Sequence, residues 1–271
     1  MKGIRGILYL VFLLIANSQQ LIANITILTW NTCRMGDFKK PDQNEVLQYL
    51  VSQDADIICL QEVDVYKSDR YLTLPEVKKV LSAKYTYSYL DFSIYDKRHQ
   101  FGTMVWSKYP LIHKQSIHYE TLGNLSNRCD VVVGKDTFRL FNNHLESYSF
   151  TPSDLKELER VEQKVKRAAP LRNEQARVVR KEIDASPYPV IVVGDFNSIP
   201  LSYTYWHISR GLKDAWWSTH PIWEWGATYE YNGIGVRIDY ILSSPSLTPT
   251  SCFISPASGS DHKPLIATLE W

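Results

Sequence analysis

The sequence predicts an α/β protein whose strands deliver polar side chains to a common edge. Three observations carry this. Val190-Ile191-Val192-Val193 is an unbroken β-branched run, as in a strand covered on both faces, and it stops at Gly194-Asp195-Phe196-Asn197. Other apolar runs also end, or break, at polar residues near Asn31, Glu62, His144 and Asp239, and Asp261-His262 stands just before the last one. Between several runs, apolar residues recur at helical spacing. A carboxylate or imidazole at the end of a buried strand sits where α/β sheets usually bind ligands. Buried carboxylates are costly unless paired or metal-bound, so several of them point to one shared polar pocket.

In chain order, Ile25–Trp30 reads as a strand ending at Asn31. Gln43–Ser52 reads as a helix with Val46, Leu47 and Leu50 on one face, leading to the strand Asp56–Leu60, which ends at Gln61-Glu62. Pro75–Ala83 reads as a short helix. Phe101–Ser107 and Leu111–Ile117 read as paired strands. Asp130–Val133 and Phe138–Asn142 form a hairpin around Gly134-Lys135-Asp136, and the second strand runs on to His144-Leu145-Glu146-Ser147. Ser153–Arg167 carries Leu155, Leu158, Val161 and Val165 at helical spacing, Pro170 is expected to interrupt it, and Leu171–Ile183 continues with Ala176, Val179 and Ile183 on a face. The charges of this stretch read as a solvated face. Arg237–Leu242 is an apolar strand with Asp239 inside it, and Leu265–Leu269 is the last strand.

The 271 residues contain 44% apolar and 13% aromatic side chains, ample for a large core and against disorder. No linker composition or repeat divides the chain, so residues 24–271 read as one domain. Residues 1–23 stand apart: Lys2 and Arg5 precede the apolar run Ile7–Ala16, which fits a signal peptide or, if uncleaved, an N-terminal membrane anchor. The expected location is therefore exported (periplasmic or extracellular) or membrane-anchored. Cys33, Cys59, Cys129 and Cys252 show no C-x-x-C spacing, so a zinc site is not indicated; Cys59 reads as core. Without Lys2 and Arg5 the chain has 28 basic and 29 acidic side chains, a balance that gives no support to binding long DNA through its phosphates.

The ordered motifs Thr29-Trp30-Asn31, Leu60-Gln61-Glu62-Val63, Asn143-His144-Leu145-Glu146-Ser147, Gly194-Asp195-Phe196-Asn197, Arg237-Ile238-Asp239-Tyr240 and Ser260-Asp261-His262 resemble the endonuclease/exonuclease/phosphatase superfamily from about Ile25 to Trp271. They are most similar to its tyrosyl-DNA phosphodiesterase-like branch and to bacterial members. The resemblance, with helices placed outside sheets, implies a four-layered α/β sandwich of two mixed sheets packed face to face, as in deoxyribonuclease I.

It also implies a hydrolase acting on phosphodiesters through an activated water, nuclease-like or tyrosyl-DNA phosphodiesterase-like. A lipid or small-molecule phosphodiesterase of the same fold, sphingomyelinase-like, is the alternative; a binding module without catalysis is the distant one. Phosphoester hydrolysis suits a hard divalent cation, Mg²⁺ with Mn²⁺ as substitute. Carried over motif by motif, Glu62, Asn31 and Asp261 would hold the metal. Asp195 would orient or deprotonate the water, and Asn197 would bond that water or a phosphoryl oxygen. His262, its ring held by Asp239, would contact the phosphoryl group, with His144 opposite. Arg128 stands where many members place a phosphate-contacting residue. Asp239 could instead pair with Arg237. His99, His113, His118, His207 and His220 match no motif.

Trp216–Tyr231 is dense in aromatics and should lie near the mouth of the site. Trp216 and Tyr229 read as core. Trp223 and Trp225 are candidates to bind substrate by stacking on bases, packing on a sugar or entering a membrane interface. Expected partners are thus a phosphoester substrate, a nucleic acid among the candidates, and a membrane surface. No protein partner is indicated, and a monomer is expected.

Overall fold

A computed structural model describes residues 23–271 except 122, 150–152, 155–156 and 232. The expected leader thus lies outside the described residues, apart from Ala23. The strands are β1 (Asn24–Asn31), β2 (Ile57–Tyr66), β3 (Tyr87–Tyr95), β4 (His99–Ser107), β5 (Leu111–His118), β6 (Leu125–Val133) and β7 (Asp136–His144). They continue with β8 (Val190–Asp195), β9 (Lys213–Asp214), β10 (Tyr229–Tyr231), β11 (Ile234–Val236), β12 (Asp239–Ser243), β13 (Thr248–Ile254) and β14 (Leu265–Glu270). The helices are α1 (Glu45–Ser52), α2 (Leu74–Leu81), α3 (Leu158–Asp184), α4 (Tyr203–Ser209) and α5 (Ala215–Thr219).

Two six-stranded mixed sheets, ordered β13-β14-β1-β2-β4-β3 and β5-β6-β7-β8-β12-β9, pack face to face. Strand alternation sorts the core into three layers. Ile25, Ile27, Cys59, Cys129, Leu140, Ile191, Val193 and Ile241 interdigitate between the sheets. Leu28, Trp30, Ile58 and Leu60, on the opposite face of the first sheet, pack under α1 and α2. Phe141, Val190, Val192 and Tyr240 pack under α3 and α4. Each fully buried aliphatic or aromatic side chain contributes about 1.5–3 kcal/mol. The two mixed sheets with helices outside them are the α/β sandwich that the motifs imply.

Three expectations are corrected. β4 and β5 are not partners: β4 lies between β2 and β3, while β5 pairs only with β6, in the other sheet. Pro170 does not divide the long helical segment, and that segment begins at Leu158 rather than Ser153. From Ala168 onward α3 is packed on the sheet, and Arg172 just past the proline donates to the Glu146 carbonyl at 2.6 Å. That clamp supports the helix where one backbone donor is missing. The alternative pairing of Asp239 with Arg237 is not found, since Arg237 pairs with Asp214 at 2.9 Å. Cys59, Cys129 and Cys252 are buried, and none of the four cysteines is in a disulfide. Among the described residues no helix is long and apolar enough to cross a membrane.

Candidate active site

Register builds the site. β1 and β2 run parallel and end side by side at Asn31 and Gln61. In the facing sheet His144, Asp195 and Asp239 lie in one row across β7, β8 and β12. Glu62 would point outward by simple alternation, since Leu60 and Val63 both pack under the helices. A bulge at Gln61-Glu62, with Glu62 at φ 49°, supplies the extra residue and turns its carboxylate inward. Gly194 sits at φ 118°, and a Cβ there would lie 2.1 Å from the Asn143 carbonyl oxygen, so only glycine lets β8 approach β7 this closely.

Asn31 ties the two sheets together. Its Nδ2 donates to Glu62 Oε1 at 3.1 Å and to Asp195 Oδ2 at 2.9 Å. Its Oδ1 accepts the Cys33 N–H at 3.1 Å. Beneath it, Gln61 Nε2 donates to Asn142 Oδ1 and Thr29 Oγ1, a buried polar floor between the sheets. Asp195 also accepts the Asn197 N–H at 2.7 Å, closing an Asx turn. Asn197 spends its amide on the Leu145 carbonyl and on Asp195, so in this structure it positions Asp195.

Two imidazoles flank the carboxylates. His262 shares a proton through Nδ1 with Asp239 Oδ2 at 2.9 Å, and its Nε2 lies 3.8 Å from Asp195 Oδ2. Its backbone is pinned by Trp30 Nε1, which donates to the His262 carbonyl, and by Ser260 Oγ, which takes the His262 N–H and donates to the Asn31 carbonyl. His144 Nε2 is 3.3 Å from Glu62 Oε1, and its Nδ1 faces the Gly123 carbonyl at the same distance.

Burial and charge set the protonation states. Burial would lower the His262 pKa, but Asp239 and Asp195 outweigh it and hold the imidazole up at about 10. His144 is raised in the same way: Glu62 outweighs burial. Burial, then the Asp239 charge, pushes Asp195 up to about 6. Glu62 goes the other way: burial opposes ionisation, yet His144 and Asn31 hold it down at about 2.

A cavity of about 450 Å³ opens over this group. Glu62, Asp195, Asn197, Asp261 and His262 line one end; along the rest, Tyr148, Ile199, Tyr229, Ile234, Val236 and Ile238 stand among four serines, 147, 149, 198 and 202. The donors facing it suit a hard cation. Glu62 is ionised and Asp261 is exposed at the mouth; outside the lining, Asp239 Oδ1 is buried with no hydrogen-bond partner among the described residues. Asp195, Asp239 and His262 offer ligand atoms within 4.8 Å of one another. A doubly protonated imidazole has no lone pair to give, however, so His262 is better suited to an anion.

The structure therefore brings together eight of the residues that the sequence singled out: Asn31, Glu62, His144, Asp195, Asn197, Asp239, Asp261 and His262. It does not bring Arg128. Asn127 and Cys129 face the inter-sheet core, so Arg128 faces outward, where its Nε meets Glu182 of α3 at 3.0 Å. Trp223 and Trp225 are exposed on the 221–226 segment and are not among the residues lining the cavity over the carboxylates. Trp225 lines a second cavity, of about 340 Å³, with Leu201, Tyr205, Trp217, His220 and Ile222. Trp216 is core, as expected, stacked on His220. Sequence reasoning missed Gln61 and Asn142 as supports of the site. Their signal was an amide inside an apolar strand.

Two mixed sheets, a carboxylate–imidazole cluster at their strand ends and a cavity opening over it make a candidate active site on an α/β sandwich. The family model described as Endonuclease/Exonuclease/phosphatase family matches residues 28–262, and the chain belongs to that family. Its enzymes are generally hydrolases of phosphoester bonds and typically depend on a divalent metal. Among solved structures, the chain is similar to an endonuclease/exonuclease/phosphatase from Beutenbergia cavernae DSM 12333. That match has TM-score 0.70 and 16% identity, and covers 91% of this chain and 71% of the other. It is also similar to a humanized D. rerio TDP2, with TM-score 0.62, 20% identity and coverage of 91% and 98%. Sphingomyelinase C from Streptomyces griseocarneus matches with TM-score 0.63, 17% identity and coverage of 91% and 99%. No curated protein matches the chain.

Proposed function

We propose that this protein is a divalent-metal-dependent hydrolase of phosphodiesters that uses an activated water. The observation that carries the reading is Asn31, whose one amide holds both Glu62 and Asp195 at the floor of the cavity. Asp195, raised toward neutrality, is matched to accept a proton from water near physiological pH. His262 presents a cationic Nε2 to a phosphoryl oxygen, its ring oriented through Nδ1 by Asp239. His144 stands behind Glu62, its Nε2 against Oε1, and would act on the phosphate from that side. Glu62 and Asp261 would hold the cation, with Asn31 fixing the Glu62 carboxylate. Mg²⁺ or Mn²⁺ bound there would neutralise charge on the phosphoryl and leaving oxygens.

For the substrate, a nuclease-like or tyrosyl-DNA phosphodiesterase-like reading competes with a lipid or small-molecule phosphodiester. The cavity favours the second, because its wall beyond the carboxylates is mainly apolar and, among the described residues, no lysine or arginine lines it. A polyanion would call for the opposite lining. The test is turnover of bis-p-nitrophenyl phosphate with Mg²⁺ and with EDTA. Metal-dependent turnover is expected, and folded protein inactive on this and on lipid and oligonucleotide diesters would refute the reading.

A further inference from the structure

Beside the site, the molecule presents an apolar rim that its own core does not use. Leu201 is 78% exposed, Ile222 77%, Trp223 78% and Ile234 70%, with Ile199 and Trp225 also exposed. These residues come from three segments around the two cavities. Ile199 and Ile234 line the catalytic cavity, Leu201, Ile222 and Trp225 line the second, and residues 198–202 separate the two. Monomers rarely leave so many large apolar side chains clustered in water.

The exposure is built in. Glu224 N–H closes a turn on the Pro221 carbonyl at 2.9 Å, and Trp216 Nε1 donates to the Glu224 carbonyl at 2.6 Å. Gly226, at φ 70°, lies so close to the Trp216 ring that a Cβ would sit 2.9 Å from it. The turn is thus anchored to the core at its base while Ile222 and Trp223 stand outward.

Charge at the rim selects the occupant. Glu224 is exposed on the turn, and Asp261 is exposed at the cavity mouth. Among the described residues the nearby cations are engaged: Lys263 with Glu230 at 3.3 Å, Arg177 with Glu174 at 2.6 Å, Arg167 with Glu146 at 2.9 Å, Lys164 with Asp154 at 2.7 Å, and Arg237 buried against Asp214. An apolar rim with acidic exposed charges fits neither a nucleic acid nor an anionic membrane. It fits an apolar interface with no net charge.

We infer that this rim docks the protein on a zwitterionic lipid surface, with the catalytic cavity opening onto the phosphodiesters displayed there. The inference rests on the reading of the site as a phosphodiesterase. Leu201, Ile222 and Trp223 enter the interface, and the apolar wall of Ile199, Ile234 and Val236 takes the chain-bearing side of the ester.

The test is co-sedimentation of the full chain with phosphatidylcholine vesicles at about 0.1 M and about 0.5 M NaCl, where charge effects are progressively screened. Wild type is compared with Leu201→Ser/Ile222→Ser and with Tyr95→Ser, an exposed aromatic lining neither cavity. The expected result is salt-insensitive binding, weakened at least about tenfold in the double variant and unchanged in Tyr95→Ser. Equal binding of wild type and the double variant would overturn the inference. So would binding confined to phosphatidylglycerol vesicles and lost in salt, or preferential binding to an oligonucleotide. The same preparation is assayed on bis-p-nitrophenyl phosphate. Turnover without vesicle binding overturns the docking surface alone, and rim-dependent binding without turnover of this, lipid or oligonucleotide diesters defeats the catalytic reading alone.

Discussion

Asp195 and His262 owe their states to residues from other strands. Asp239, beside Asp195 in the row across β8 and β12, raises both of them. Because the folded His262 pKa of about 10 lies above the unfolded value of about 6.5, folding holds a proton that the unfolded chain would release. The associated stability is fully present below about pH 6.5 and is lost as pH rises to and through about 10. Thermal unfolding in EDTA should therefore show the gap between wild type and Asp239→Asn shrinking over that range; a gap constant with pH would count against the pair. Gly194 is the second telling residue. Gly194→Ala places a Cβ against the Asn143 carbonyl at a φ that L residues avoid, and should cost about 3 kcal/mol or more in urea unfolding.

At the scale of elements, the strand ends decide what was legible in the sequence. Asn31, His144, Asp195 and Asp239 stand out because a polar residue follows or breaks an apolar run, and the parallel pairs β1–β2 and β7–β8 place such ends side by side. Glu62 is chemically recognisable from the motif, but its aim is not. It depends on a bulge whose backbone angle no propensity records. Arg128 fails for a related reason: its chemistry suits a phosphate, while the alternation of β6 sends it to the helix side. Arg128→Ala should accordingly change kcat/KM on a soluble diester by less than about twofold, and stability by about 1 kcal/mol or less. A loss of tenfold or more in kcat/KM would return Arg128 to the site. The pairing of β4 with β2 and β3 rather than with β5 was equally hidden, since sheet membership is settled by packing across the sandwich and not by proximity in the chain.

At the scale of the whole molecule, the site is a seam between two sheets, with Asn31 from one bonded to Asp195 of the other. A cation held by Glu62 and Asp261 there would bind the folded chain and not the unfolded one. Mg²⁺ at about 100 times its dissociation constant should raise stability by about 2.7 kcal/mol. Glu62→Ala should remove most of that gain in a thermal melt, and an equal gain in the variant would place the cation elsewhere. The two-sheet architecture was foreseeable from alternating strand and helix patterns taken with the motif order. The apolar rim was foreseeable only in part, because the density of aromatics at 216–231 does not say which rings are buried; Trp216 went to the core and Trp223 to solvent.

The most direct measurement is the steady-state turnover of bis-p-nitrophenyl phosphate in Mg²⁺ by wild type and Asp195→Asn side by side, each shown to be folded. Asp195→Asn should lower kcat by about 10²–10⁴, the usual worth of a general base. Turnover by Asp195→Asn within a few-fold of wild type would contradict the assignment of Asp195 as the group that activates water.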